Sequence, residues 1–192
     1  MTGYVGLTFD DGPHPDSTLA LLAALDDAPA TFFIWGEHAE RHPDLLRACH
    51  SAGKDLGNHT FTHPHLTELD DPGSVFEEID QTQRTIRRIT GQTPTLFRPP
   101  YGDTDDRVRA TASRLALTEV LWTVDTRDWA GVSTSDIVRA AASLRSGDII
   151  LMHDGGYQTT VAAVPHILTA LAARGLRPGR IARTPHPVAV AP

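Results

Sequence analysis

The 192-residue chain holds a single cysteine, Cys49, so no intrachain disulfide can form. Cys49 lies in a helical pattern over Asp44 to Gly53 and reads as an inert helix residue. No apolar run approaches the roughly 20 residues that a membrane-spanning helix needs. Basic residues number 17 against 24 acidic ones, a formal net charge of -7, and no Lys/Arg block occurs. Nucleic acid and membrane surfaces are therefore not expected partners. There is no linker, repeat or low-complexity stretch, and the length suits one core, so residues 1–192 read as a single domain. The opening MTGYVGL has neither the basic nor the apolar region of an export signal. Two readings stay open: a cytoplasmic protein starting at Met1, or a secreted one whose signal has been removed.

What is present is an alternation. YVGLTF, ATFFIW, LFRPP, EVLWTVD and DIILMHD read as strands, with DLGNH as a further short one. Helical patterns fall between them. Over residues 74–91, Val75, Ile79, Ile86 and Ile89 share one stripe and Gly91 closes it. Residues 106–116, 133–147 and 159–175 behave similarly, with a capping sequence at Ser133 to Asp136. Alternation of this kind predicts an α/β fold with a mainly parallel sheet. The Pro-rich tail RTPHPVAVAP is expected to be irregular.

Unusual polar residues punctuate the strand ends. Asp10 and Asp11 close the first strand, where two adjacent carboxylates repel unless a cation or a proton separates them. Arg98 ends LF, Asp125 and Asp128 follow VLWTV, and His153 and Asp154 end IILM. In a βα barrel those ends share one face, and that face carries the chemistry. His59 and His63, four apart in NHTFTHPH, can face one point and, with a carboxylate, form a metal set that leaves positions open to water and substrate. His65 has a weaker claim. His14, His38, His42, His50, His166 and His186 are scattered and read as surface residues. Asn58-His59-Thr60 matches a glycosylation sequon, a reading of little weight beside a candidate ligand. In FRPPYG, the prolines stiffen the turn, Arg98 can fork onto a carboxylate, and the N–H groups of Tyr101 and Gly102 can point at a ligand oxygen. Trp122, Trp129 and Leu151 are candidate pocket walls.

TFDDGP, HTFTH, RPPYG, DTRDW and LMHD, in this order, resemble the five motifs of the polysaccharide deacetylases, carbohydrate esterase family 4, the NodB homology domain. The resemblance runs from Gly3 to about Ile181, and GYVGLTFDDGP and THPHLT look especially like the bacterial acetylxylan esterase and chitooligosaccharide deacetylase branch. It implies a distorted (β/α) barrel of about seven strands. It also implies metal-dependent removal of N- or O-linked acetyl groups from carbohydrates, by a monomer, with a slight preference for secretion. One divalent ion is implied, Zn²⁺ foremost, with Co²⁺, Mn²⁺ or Ni²⁺ as alternatives, held by Asp11, His59 and His63. Asp10 is then the base, kept ionised by Arg98, and the Tyr101 N–H, in the turn with Pro100, holds the oxyanion. His153 is the acid, paired with Asp128 or, as second choice, Asp125. Leu151 with Trp122 or Trp129 would wall the acetyl slot. Three rivals are a cytosolic N-deacylase of a small acylated metabolite, a non-catalytic sugar-binding module, and a non-haem iron enzyme. Short loops, HPDSTL and GGYQTT, leave the strand-end face open and favour an oligosaccharide groove.

Overall fold

Residues 3–182 and 189–191 are described by the structure, a computed structural model. Strand β1 (Gly3–Asp10) is buried over its last six residues, as a strand covered on both faces must be. It is followed by α1 (Thr18–Leu25), β2 (Thr31–Ile34), α2 (Gly36–Arg41), α3 (Pro43–Ser51), β3 (Asp55–Asn58) and α4 (Pro72–Thr90). Then come β4 (Leu96–Phe97), α5 (Asp106–Arg114), β5 (Thr118–Glu119), β6 (Val124–Asp125), α6 (Thr134–Ala141), β7 (Ile149–His153) and α7 (Gln158–Ala173). Three short strands finish the described chain: β8 (Leu176–Pro178), β9 (Arg180–Ala182) and β10 (Ala189–Ala191).

The main sheet runs β5-β4-β3-β2-β1-β7-β6, and every pairing in it is parallel. The seven strands curl into a distorted half-barrel with helices outside. β8 adds to the start of β1. Register brings the strand ends level: Asp10 stands opposite Phe33 and His153, Ile34 opposite Asn58, Asn58 opposite Phe97, and Asp125 opposite Leu151.

The stripe on α4 is buried as its period requires, and Gly91 takes the left-handed conformation at its end. Val75 and Ile79 pack with Phe97 and Val108, while Ile86 and Ile89 join the larger core around β1 and β2. Ser133 and Asp136 form a reciprocal capping box on α6. Cys49 is fully buried in that larger core, and burial pushes its thiol pKa up, which keeps it inert. No helix among the described residues is long and apolar enough to cross a membrane.

Two expectations need correcting. EVLWTVD is not one strand. β5 pairs with β4 at one edge and β6 with β7 at the other, so the residues between them cross the gap that a closed barrel would fill. Val120 N–H donates to Phe97 O and Thr123 N–H to Ile149 O, which tethers this crossing to both edges. The tail is also not wholly irregular: Ala189–Ala191 pairs antiparallel with β9, Val190 opposite Ile181. Residues 183–188, with His186, lie outside the described residues.

Candidate active site

A pocket of about 370 Å³ opens at the carboxyl ends of the strands. Asp10 and Asp11 enter it from β1, His59 and His63 from the loop after β3, and Leu151 and His153 from β7. Tyr101, Trp122, Asp125 and Trp129 complete its wall.

The two aspartates part company at the strand end. Asp10 stays extended in β1, whereas Asp11 takes a left-handed φ of 74°. Thr60, His63 and Tyr101 also have positive φ, at 65°, 64° and 61°. For a β-branched residue such as Thr60 this conformation is strained. Strain gathered around one pocket persists only where the surroundings over-determine it. Here they do. The α2 N-terminus holds the loop by Gly36 N–H to Thr60 O (2.9 Å) and Glu37 N–H to Phe61 O (3.0 Å). From α4, the Glu78 carboxylate accepts from Phe61 N–H, Thr62 N–H and the Thr62 hydroxyl. Asn58 is buried, its amide donating to Ile79 O and Gln83 Oε1, so the sequon is closed in the folded chain.

Asp11 Oδ1 lies 3.4 Å from His59 Nε2 and 3.2 Å from His63 Nε2. One donor atom from each of the three lies within 4.8 Å of the others. His59 Nδ1 is 2.7 Å from Arg98 O; a carbonyl only accepts, so the proton sits on Nδ1 and Nε2 is free. His63 Nδ1 is 3.1 Å from the Tyr101 hydroxyl, which likewise leaves Nε2 towards the centre. Asp11 Oδ1 is buried and has no hydrogen-bond partner among the described residues. An orphaned carboxylate oxygen facing the Nε2 atoms of two imidazoles fits a divalent cation.

Asp10 is clamped separately. Arg98 is fully buried, with Nη1 donating to Asp10 Oδ1 (2.7 Å) and to the Thr8 hydroxyl (2.8 Å). Its Nε and Nη2 donate to Val120 O (3.0 Å) and Leu121 O (3.1 Å), and its guanidinium lies 4.1 Å from the Phe33 ring centre. The same side chain that orients Asp10 therefore also grips the segment crossing the barrel gap.

The carboxylate that meets His153 is Asp128. Asp128 Oδ1 accepts from His153 Nδ1 at 2.7 Å, and Oδ2 accepts from His153 N–H (2.8 Å) and the Thr160 hydroxyl (2.6 Å). Asp128 is fully buried. Burial lowers the His153 pKa, but the bond to Asp128 and the Asp10 and Asp11 carboxylates outweigh it, and it is pushed up to about 9. Asp125 is exposed at the pocket mouth, its Oδ1 accepting from Arg127 N–H. Pro100 is buried and stands outside the pocket wall.

Asp154, at the same strand end as His153, is fully buried away from the pocket and accepts from the Ser17 and Thr18 hydroxyls. His50 and His166 are exposed as expected, but His14, His38 and His42 are half-buried. His38 in particular reaches the site: it stacks on Trp35, which stacks on His63. Sequence reasoning missed Trp35 and His38, and their only signal was an aromatic residue at the end of a buried strand. His65 lies outside the donor set and stacks on Tyr101 at 3.9 Å.

Residues 2–120 match the family model described as polysaccharide deacetylase. The chain is similar to a bifunctional xylanase/xylan deacetylase of Cellvibrio japonicus, with 41% identity over 94% of this chain and 27% of that one. It thus spans about a quarter of that relative. A chitooligosaccharide deacetylase of a Bradyrhizobium strain is 37% identical over 91% of this chain and 87% of that one. Among solved structures, a family 4 carbohydrate esterase from Streptomyces lividans, in complex with acetate, superposes with a TM-score of 0.93 at 46% identity, covering 99% and 98% of the two chains. A family 4 pseudoenzyme from Bacillus anthracis superposes at 0.87 with 27% identity, covering 92% of this chain and 63% of that one.

Proposed function

The chain belongs to the polysaccharide deacetylase family, and from that premise we propose that it removes acetyl groups from carbohydrate chains by metal-dependent hydrolysis. The observation that carries this reading is Asp11 Oδ1, buried without a hydrogen-bond partner among the described residues and facing the Nε2 atoms of two imidazoles. The fold alone would not carry it, since a relative of the same architecture is a pseudoenzyme. Here Asp10, Asp11, His59, His63 and His153 line one pocket.

A divalent ion held by Asp11, His59 and His63, with Zn²⁺ as the first candidate, would bring the pKa of a water from about 15.7 towards roughly 7 and polarise the acyl oxygen. Asp10 takes the proton as the water attacks the acetyl carbonyl. Arg98, itself fully buried, aims Asp10 through the Nη1 hydrogen bond to Oδ1. The Tyr101 N–H donates to the developing oxyanion, from a residue held at a left-handed φ of 61°. Loss of one such donor typically costs roughly 3 kcal/mol of transition-state stabilisation. His153 protonates the leaving nitrogen or oxygen from Nε2, since Asp128 holds the proton on Nδ1. Leu151, Trp122 and Trp129 supply the apolar wall for the acetyl methyl, a slot that penalises longer acyl groups. Asp125 is left free at the mouth to meet a substrate hydroxyl.

The substrate we favour is an oligosaccharide. Tyr101 and Trp129 are 59% and 49% exposed at the pocket, flat surfaces on which sugar rings can stack. Catalytic efficiency on acetylated xylan and chitin oligomers should rise with chain length. Efficiency highest on a monomer or a non-sugar amide would instead favour a deacylase of small metabolites.

A further inference from the structure

The turn from β2 into α2 touches both arms of the donor set. Trp35 N–H donates to Gly12 O at 3.0 Å, directly after Asp11. His38 Nδ1 lies 2.8 Å from Asp11 O, so Nδ1 carries the proton and donates. The His38 ring stacks on the Trp35 indole, centres 4.2 Å apart and planes 19° apart. The same indole stacks on the His63 ring at 4.6 Å and 22°. A continuous path therefore runs from the Asp11 carbonyl through His38 and Trp35 to the imidazole of His63.

The indole N–H of Trp35 is buried without an acceptor among the described residues. Buried polar groups are normally paired, so no polar bond holds this ring in place; its faces do. Both Asp11 and His63 have left-handed backbones that need external support. We infer that Trp35 and His38 are positioning residues, a brace that fixes the Asp11 backbone and the His63 ring plane relative to one another, so that the donor set is built before an ion arrives. The inference rests on the reading that Asp11, His59 and His63 bind a divalent cation. It assigns work to two side chains outside that set. A donor set held in geometry binds its ion more tightly because little ordering remains to be done.

The test is Zn²⁺ affinity of the full chain, measured by competition with a chromophoric chelator, alongside thermal unfolding of the metal-free proteins. His38→Ala and Trp35→Ala are expected to lose about 10- to 100-fold in affinity, the usual effect of removing support around a ligand, with melting temperatures near that of the parent. Trp35→Phe, which keeps a ring face, and His38→Asn, which keeps an N–H donor for Asp11 O, should recover most of it. The double alanine variant should lose less than the two single losses combined, because both act through one path. Should Trp35→Ala fail to fold, His38→Phe keeps the stack and removes the donor, and it should lose about tenfold. Alanine variants with parental affinity would overturn the brace while leaving the metal site standing. So would Trp35→Phe and His38→Asn variants as weak as the alanines. A parent protein that binds no Zn²⁺ would overturn both.

Discussion

At the scale of single residues the site depends on protons held at stated atoms. His153 is charged to higher pH than an ordinary imidazole because Asp128 faces Nδ1 and two further carboxylates lie near. Its folded pKa of about 9 lies above the ordinary 6.5. The ion pair therefore contributes stability in full below about 6.5 and loses it as pH rises through about 9. In the proposed mechanism the same deprotonation removes the acid, so catalytic efficiency is expected to fall on the alkaline side. Asp128→Asn should move that limb to lower pH and cut turnover roughly a hundredfold. A pH–rate profile checks both, and an unmoved limb would detach Asp128 from His153. Asp10, Asp11, Arg98 and His153 were legible in the sequence because each is a polar residue at the end of an apolar run, and His59 and His63 because they stand four apart. The choice between Asp125 and Asp128 was not, since three residues of turn decide which carboxylate lies under the imidazole. Trp35 and His38 were illegible for another reason: a stacking role leaves no period and no charge pattern.

At the scale of elements the decisive contact is that of α2 with the loop after β3. Gly36 starts α2, and a Cβ there would stand 2.4 Å from Phe61 Cδ2 and 2.9 Å from Phe61 Cα. Backbone cannot yield as a flexible side chain does. Gly36→Ala should therefore cost about 1–3 kcal/mol of stability, as overpacking does, and should weaken metal binding because the displaced loop carries His59 and His63. Thermal unfolding with and without added Zn²⁺ reads both effects; a neutral substitution would show that the loop is not held from α2. Helix α4 was legible through its apolar stripe and closing glycine. Neither α1 nor α2 was. The apolar residues of TLALLAAL give α1 no polar face to mark its period, and α2 has only six residues. The splitting of EVLWTVD was hidden because β-branched and aromatic residues suit a strand equally well whether it pairs or merely crosses a gap.

At the scale of the whole molecule, one sheet order explains why residues from both ends of the chain share a pocket. β1 is central, with β2 on one side and β7 on the other, so Asp10 is in register with His153 although 143 positions separate them (153 − 10). Alternation made the α/β class legible, and the strand-end rule pointed to the face that would carry chemistry. Strand order and the open edge between β5 and β6 were not legible, because pairing depends on the packing of whole layers. The central claim is that Asp11, His59 and His63 hold one divalent ion while Asp10 supplies the base. Its most direct test is acetate release from an acetylated chitin oligomer as Zn²⁺ is titrated into metal-stripped protein, in parallel for the parent and Asp10→Asn. Parental activity is expected to rise from baseline and level at one equivalent, with the Asp10→Asn protein taking up the same single equivalent and staying nearly silent. Full activity in the metal-free parent, or an Asp10→Asn protein that no longer binds the ion, would contradict it.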